Sequence, residues 1–435
     1  MQKPNPSDPA APRGGPGAPL AASWRSTFHP FTVPAFRFQW PGDLMTAVAA
    51  EMEIVILGWY VLSETGSVLL LTLFGALHFF GTLAAPLIGV VGDRIGLRPL
   101  IVLMRAVYVS IAAAMAALAL GGRISPGIVF VLAAGMVLVR ASDISVRTAI
   151  VAQLMPPALL TGAVGLSRTT GDVARIVGAL TGASLFALFG LGPAYVAILL
   201  LYLGGLLLTV AAGARATPGA PRSAGDRRSP WRELAAGLAY VWRAPQLNAG
   251  MWLAVLANLT AFPFSGGLMP YVARNVYGLE STGLGFLIAS FAAGAMAGSL
   301  TVGAIGGRLR LGRQMLVASA VWHLMLLGFV HAPGALAGAA FLILAGFAQS
   351  ISMVALAAML LRTSEPDFHG RIMGVRMLAT YSLPLGLVIL GALIERVGFA
   401  ITASCWLLAG IAVTAAIGIG WREAVWAREA AANRR

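Results

Sequence analysis

The sequence predicts an all-α integral membrane protein, with twelve transmembrane helices in two six-helix halves and both termini in the cytoplasm. The 435 residues are 58% hydrophobic and 11% charged, whereas a soluble protein of this size carries about 25% charged residues. Apolar runs of about 20 residues recur with short polar breaks, as transmembrane helices require. A membrane β-barrel would instead show alternating segments of about ten residues.

The apolar segments follow a Pro-, Gly- and Ala-rich tail at 1–35, which has no apolar core and is predicted to be a disordered cytoplasmic tail. A polar, basic linker at 214–245 separates the halves at 36–213 and 246–421, and it is predicted to end in an amphipathic surface helix. A cytoplasmic tail at 422–435 follows. The predicted spans are about 38–62, 67–91, 98–120, 125–147, 159–189, 193–213, 246–271, 281–305, 313–332, 335–360, 371–395 and 399–421.

Arginine residues are distributed unevenly between the two sides of the membrane. One side holds Arg94, Arg98, the run from Arg215 to Arg243 and the arginines after Trp421, whereas the other side holds few. By the positive-inside rule the Arg-rich side, which includes both termini, is cytoplasmic. Topology therefore explains most of the net charge of +14, and we expect no nucleic-acid partner.

Two short patterns repeat between the halves. The stretch 89–94, between spans 2 and 3, resembles 303–308, between spans 8 and 9. The stretch 157–168, before span 5, resembles 366–376, before span 11. Two parallel repeats of six helices around a site near the middle of the membrane are typical of a transporter.

The loop between spans 2 and 3 resembles the signature of the major facilitator superfamily, G-x-x-x-D-R-x-G-R-R. Gly89, Asp93, Arg94, Gly96 and Arg98 match that pattern, and a leucine replaces the first of the paired basic residues. The resemblance implies a secondary active transporter that works by alternating access. It covers roughly residues 36–420, and the N-terminal tail and the linker lie outside it.

Within this superfamily, Trp59-Tyr-Val-Leu, Ala174-Arg-Ile-Val-Gly178 and Gly370-Arg-Ile-Met-Gly374 resemble the branch that contains the bacterial enterobactin (siderophore) exporter. That resemblance implies efflux of a siderophore-like or drug-like compound across the cell inner membrane by proton antiport. The antiporter motif of helix 5 is incomplete, because the stretch 178–183 lacks its proline and its last glycine. A proton symporter that imports its substrate is the alternative.

Span 1 contains three carboxylates, Asp43, Glu51 and Glu53, and charge inside a membrane is costly. Asp43 lies near the cytoplasmic end and is either solvated or part of the site. Glu51 and Glu53 lie about 200° apart around a helix, so they face different surroundings. Glu53 shares a polar stripe with Tyr60, whereas Glu51 adjoins an aliphatic one. We therefore expect Glu53 to face the cavity and accept the coupling proton, with a structural ion pair to a neighbouring helix as the alternative.

Other polar groups lie at similar depth in the membrane. His78 of span 2 could pair with a span-1 glutamate and relay protons or bind a cation, although a lone histidine is more often a packing residue. Asn258 and Gln349 are the polar candidates of the C-terminal half for the substrate cavity. The remaining histidines are scattered and Cys405 is the only cysteine, so we predict no metal and no cofactor.

Charges near the cytoplasmic ends of spans 4 and 5 predict a gating latch. Arg140 and Asp143 lie on one helical face, and Asp143 could reach Arg94 or Arg98 of the signature loop. Arg175 matches the Ala-Arg-Ile-Val-Gly stretch and is expected to join the same charge network. In the superfamily such a cluster holds the halves together while the cytoplasmic side is closed.

A membrane enzyme or a non-transporting sensor is a competing interpretation. An enzyme should show clustered catalytic side chains at one depth, and the sequence contains no phosphate-binding loop and no nucleophile elbow. A sensor should carry an additional soluble domain, and both the tail and the linker are short. We therefore predict a monomeric transporter whose partners are a small-molecule substrate, protons and membrane lipids.

Overall fold

The computed structural model describes residues 29–81, 91–92, 94–215, 230–305, 310–365 and 368–426, and these residues are almost entirely helical. A short 3-10 helix, His29–Thr32, precedes the first long helix. The N-terminal half contains α1 (Phe36–Thr65), α2 (Val68–Phe80), α3 (Leu97–Leu120), α4 (Pro126–Arg140), α5 (Asp143–Leu154), α6 (Pro157–Phe189) and α7 (Leu191–Ala214).

The C-terminal half follows a helix, α8 (Pro230–Arg243), that lies in the predicted linker. Its helices are α9 (Pro245–Thr260), α10 (Ser281–Ile305), α11 (Leu311–His331), α12 (Ala335–Thr363), α13 (His369–Ala379), α14 (Ser382–Val397) and α15 (Phe399–Gly420). Short helical turns at Phe262–Ser265, Met269–Tyr271 and Val272–Val276 follow α9, and a short helix, Arg422–Val425, follows α15.

Ten helical spans in the described chain are long and apolar enough to cross a membrane. The two remaining predicted spans begin with α2, which is apolar but has only 13 residues, and with α9, which stops at Thr260. Pro263 explains the end of α9, because proline lacks the N–H group that a continuing helix needs. The helical membrane class is thus confirmed, and the side on which the termini lie stays a prediction.

The core of the N-terminal half forms around α1, which packs against α6 and α7, while α3 packs against α7. Buried apolar side chains from these helices make one continuous cluster, which includes Met52, Ile56, Tyr108 and Tyr195. α1 also buries two charged side chains, Asp43 and Glu53. A buried charge is costly unless it has a partner, so both need partners inside this bundle. Those groups belong to the candidate site.

In the C-terminal half α12 packs between α10 and α11, and α11 packs against α15. The linker helix α8 packs on α13, where Tyr240 stacks on Phe368 with ring centroids 4.2 Å apart. An aromatic stack of this kind holds α8 against the start of α13. The linker thus contributes a packed helix to the C-terminal half.

The halves contact each other through α6 with α10 and through α2 with α14. The Ser281 hydroxyl donates to the Ala183 carbonyl at 3.2 Å. Gly391 of α14 lies so close to α2 that a Cβ atom there would be 2.0 Å from Thr72 Oγ1. These contacts lie on the same side of the membrane as the α1–α2 turn, which the arginine distribution assigns to the outside. A cavity lies between the halves, further towards the opposite side.

Candidate functional site

The cavity between the halves has a volume of about 330 Å³ and receives side chains from both. The N-terminal half contributes α1, α2 and α6, and the C-terminal half contributes the broken segment after α9 together with α10, α12 and α14. Its position is the one predicted for a transporter, at the interface between two repeats.

The polar lining comes mainly from the N-terminal half. Glu51 of α1 lies opposite Arg175 of α6, with 3.8 Å between Glu51 Oε1 and Arg175 Nε. His78 also lines the cavity, and its Nδ1 lies 3.1 Å from the carbonyl oxygen of Phe74. In the neutral ring, Nδ1 next to this carbonyl carries the proton and Nε2 is the acceptor. Gln349 is the polar group that α12 adds.

The opposite wall is apolar and aromatic. Phe262 and Pro270 come from the segment after α9, Phe291 comes from α10, and Leu383 and Leu387 come from α14. A surface of this kind binds the apolar body of a ligand, and a few polar groups fix its orientation. The cavity therefore has one charged wall and one apolar wall.

The structure corrects the predicted orientation of the two glutamates. Glu51 lines the cavity, whereas Glu53 is 3% exposed and faces the interior of the N-terminal half. The predicted separation around the helix holds, but the assignment of the two faces is wrong. Val55, from the aliphatic stripe beside Glu51, also lines the cavity. Glu53 faces inward, because its partners Arg140, Tyr195 and Tyr202 are on neighbouring helices.

Glu53 is the centre of a buried polar cluster. Arg140 Nη2 of α4 lies 2.5 Å from Glu53 Oε2, so the structural ion pair that the sequence left as an alternative is present. The Tyr202 hydroxyl donates to the same oxygen at 3.1 Å, and the Tyr195 hydroxyl donates to Glu53 Oε1 at 3.2 Å. Charge and hydrogen bonds together make burial of this carboxylate tolerable. Sequence reasoning missed both tyrosines, which lie seven residues apart on α7 and therefore on one helical face.

Asp43 forms a second buried ion pair. Its carboxylate contacts the Arg105 guanidinium of α3 and accepts a hydrogen bond from Gln39 at 2.8 Å, and Asp43 is only 6% exposed. Arg105 is 1% exposed and also donates to the Gly205 carbonyl at 3.1 Å. Asp43 is therefore neither solvated at the membrane surface nor on the cavity wall. It joins α1, α3 and α7 within one half.

Two further predicted cavity residues lie elsewhere. Tyr60 is 7% exposed and packs in the apolar core of the N-terminal half. Asn258 donates from Nδ2 to the Ala254 carbonyl of its own helix at 2.9 Å, which satisfies the amide locally. Neither residue is among those that line the cavity. A polar side chain at mid-membrane depth can thus form its hydrogen bond within its own half and need not face the cavity.

A sequence profile of the Major Facilitator Superfamily matches residues 40–384. The chain belongs to this superfamily. Membership indicates a multi-pass membrane transporter of small molecules rather than an enzyme, and the two-walled cavity is the expected place for the substrate. The superfamily contains many branches, and the siderophore-exporter branch is not confirmed by this match.

Solved structures of this superfamily's fold resemble the chain at low sequence identity. The nucleoside transporter NupG has a TM-score of 0.68 at 11% identity and covers 91% of this chain and 100% of its own. A bacterial homologue of the human lysosomal transporter Spinster, in an inward-facing and unoccupied conformation, has a TM-score of 0.68 at 12% identity and covers 92% and 98%. The human organic anion transporter MFSD10 has a TM-score of 0.56 at 17% identity and covers 89% and 99%. No curated protein matches the chain significantly.

Part of the signature loop of this superfamily member can be placed. Gly89 and Asp93 lie outside the described residues, while Arg94 is exposed and Gly96 has a φ of +89°, a conformation that favours glycine. Asp143 pairs with Arg147 on its own helix, 2.8 Å apart. Arg140 and Arg175 are engaged by Glu53 and Glu51, respectively. Both arginines thus have partners within the N-terminal half in this structure, and the latch of Arg140, Asp143 and Arg175 with the signature loop stays a prediction.

Proposed function

We propose that this transporter is a proton-coupled exporter in a bacterial cytoplasmic membrane, and that it moves small amphipathic compounds of drug-like or siderophore-like character by alternating access. The observation that carries the proposal is the position of the buried Glu53–Arg140 pair, inside the N-terminal half and next to the substrate cavity but not within it. Such a position allows a proton to act on the cavity without competing with the substrate for space.

Glu53 is the carboxylate best placed to take up the coupling proton. Its neutralisation would leave the Arg140 guanidinium without its counterion, and breaking a buried ion pair costs about 3–5 kcal/mol. Within the described chain, Arg140 would then keep only the Tyr202 hydroxyl, 2.8 Å from Nη2, and its charge would no longer be compensated. Protonation of Glu53 would therefore change the charge that the substrate meets. A change of this size is enough to shift a two-state equilibrium between access states.

Glu51 and Arg175 are proposed to hold the polar end of the substrate. Their 3.8 Å separation is near the outer limit for an ion pair, and their side chains are 26% and 46% exposed, respectively. A partly solvated pair of this kind contributes at most about 1 kcal/mol, so a substrate group can replace either partner at small cost. Phe262 and Phe291 then contact the apolar or aromatic body of the substrate.

The direction of transport is proposed from the resemblance to the exporter branch, and a proton symporter is the alternative. The structure supports a cycle in which the contacts of α2 with α14 and of α6 with α10 open, while the opposite side closes. These contacts lie on the side that the arginine distribution assigns to the outside, which corresponds to a state open to the cytoplasm. Both directions of transport use this cycle.

The test is transport into inverted membrane vesicles with an imposed pH gradient, using a panel of lipophilic cations, aromatic acids and catechol compounds. We expect Glu53→Gln to abolish accumulation that depends on the gradient and to retain substrate exchange without a gradient. Glu51→Gln should change affinity and the range of compounds while accumulation still depends on the gradient. Glu64→Gln, at an exposed glutamate of the same helix, serves as the control.

Normal gradient-driven accumulation in Glu53→Gln would refute the coupling role. Accumulation driven only by a gradient of the opposite sign would establish symport in place of export. Loss of exchange in Glu53→Gln, together with retained exchange in the control, would mean that this glutamate holds the structure and does not couple protons. Fluorescence-detected gel filtration of each variant confirms that the compared proteins are folded.

A further inference from the structure

Two apolar grooves flank α11 on the membrane-facing side of the C-terminal half, and basic residues lie at one end of both. The first groove, between α11 and α12, has a volume of about 540 Å³ and is lined by Arg310, Arg313, Val321, Phe347 and Ile351, among others. The second, between α11 and α15, has a similar volume of about 540 Å³ and is lined by Ile411, Ile419, Arg422 and Trp426, among others. Val317, which is 48% exposed, borders both grooves.

A close backbone contact brings the basic ends of the two grooves together. A Cβ atom at Gly312 would lie 2.5 Å from the Val425 carbonyl oxygen, so the start of α11 touches the short helix after α15. Arg313 lies over the ring of Trp426 at 5.6 Å from its centroid. The Trp426 indole donates to the Gly418 carbonyl at 3.0 Å, which fixes the ring. Arg313 thus lines the first groove and contacts the wall of the second.

We propose that this face binds one anionic diacyl phospholipid, whose phosphate is held by Arg310, Arg313 and Arg422 and whose two acyl chains lie on either side of α11. The amide groups at the start of α11 add a favourable dipole for a phosphate. Glu423 is the acidic residue of the short terminal helix, and the arginines outnumber it. Basic pockets between helices on the cytoplasmic side suit anionic headgroups.

The dimensions of the grooves fit acyl chains. From Arg310 to Val321 the helix rises about 16 Å at 1.5 Å per residue, and the same number of residues separates Ile411 from Arg422. This length is close to half of a hydrocarbon layer of about 30 Å, the depth of one leaflet. The predicted cytoplasmic position of the basic end coincides with Trp426, a residue type enriched where helices leave the membrane.

The expected preference follows from the charges. An arginine near an anionic surface contributes about 1 kcal/mol, or roughly a fivefold preference, so Arg313 and Arg422, which the double variant removes, account for roughly a 25-fold preference. The grooves share no lining residue with the transport cavity, and α11 and α15 contribute none of the residues that line that cavity. Lipid binding can therefore be disturbed without changing the residues that we assign to the substrate.

The test is native mass spectrometry of the full-length protein released from nanodiscs that contain equal amounts of phosphatidylglycerol and phosphatidylcholine of the same chain length. The wild type should retain phosphatidylglycerol at least tenfold more often. The double variant Arg313→Gln/Arg422→Gln should lose this preference. Arg215→Gln, which removes an exposed arginine that lies over Phe38 at 4.2 Å in the N-terminal half, should keep it.

A second variant tests the grooves while leaving the charges in place. Val317→Trp puts a large side chain at the border of both grooves, and we expect retained lipid to fall severalfold. Equal retention of both lipids by the wild type, an unchanged preference in the double variant, or unchanged lipid retention in Val317→Trp would overturn the proposal. Displacement of the lipid signal by millimolar inorganic phosphate would assign the site to a free anion instead. Because Val317 is exposed, this variant should fold even where the double variant does not.

Discussion

Glu395 of α14 connects the two halves through the start of α2, and Glu395→Gln should weaken this contact. Glu395 Oε1 accepts hydrogen bonds from the Ser67 hydroxyl at 2.7 Å and from the Leu69 amide at 3.1 Å. The carboxylate thus caps the positive end of a helix that belongs to the other half. Arg274 makes a complementary contact, because its Nη1 donates to the Leu62 carbonyl near the end of α1 at 2.8 Å. Both contacts must break when this side of the transporter opens.

The magnitude follows from the exposure of the contact. A carboxylate at a helix N-terminus contributes about 0.3–1 kcal/mol, and hydrogen bonds to a charged group contribute about 1.5–3 kcal/mol when shielded from water. The Ser67 and Leu69 hydrogen bonds are solvent-exposed, so we take a total of about 1–2 kcal/mol. Glutamine keeps an acceptor oxygen but loses the charge, and most of this energy is lost with it. The equilibrium should move about 5- to 30-fold towards the state in which this side is open.

The assay is pulsed electron spin resonance between spin labels on the outer ends of the two halves. In a Cys405→Ser background, which removes the single native cysteine, Arg123→Cys and Pro333→Cys provide the attachment sites. Glu395→Gln should increase the population with the longer distance, and Arg274→Gln should act in the same direction. Glu64→Gln, which removes an exposed charge at the end of α1, is the control. Identical distance distributions for Glu395→Gln and the wild type would refute this reasoning.

Two other substitutions test the packing of α1 and of the halves. Asp43→Asn should lower the melting temperature in detergent markedly, because a buried Arg105 without its carboxylate costs about 3–5 kcal/mol. The double variant Asp43→Asn/Arg105→Met should recover most of the loss. A wild-type melting temperature for Asp43→Asn would contradict the buried pair. Gly391→Ala should slow transport and open the contact with α2, because the new Cβ would lie 2.0 Å from Thr72 Oγ1. In the control Gly374→Ala the new Cβ has no neighbour within 4 Å, so the transport rate should not change. Equal transport rates for the two alanine variants would show that the α2–α14 contact tolerates the extra methyl group.

The glutamates of α1 show what helical periodicity can predict about the site and what it cannot. Their separation around the helix follows from geometry and requires that they face different surroundings, which is what the structure has. Periodicity does not say which surroundings are polar. The choice of Glu53 assumed that polar residues face the cavity, but Arg140, Tyr195 and Tyr202 make the interior of the N-terminal half the more polar place for a carboxylate.

Asp43 shows the same limitation at longer range. Sequence reasoning placed it near the membrane surface because it lies early in span 1. Its partner Arg105 is 62 residues away on another helix, and no periodic pattern connects the two positions. Arg175 was assigned to the latch from its match to a short stretch of the superfamily, and only the packing of α6 beside α1 shows that it lies next to Glu51 in this structure.

The sequence by itself determined the helical membrane class, the division into two halves and the family. Those properties follow from the length of apolar runs, from the repetition of short stretches and from a local motif, all of which can be read along one dimension. Only the tertiary structure decided which charges form pairs and which face the cavity. Ion pairs such as Glu53–Arg140 depend on which helices pack together, and residues far apart in sequence then satisfy one another's buried charges.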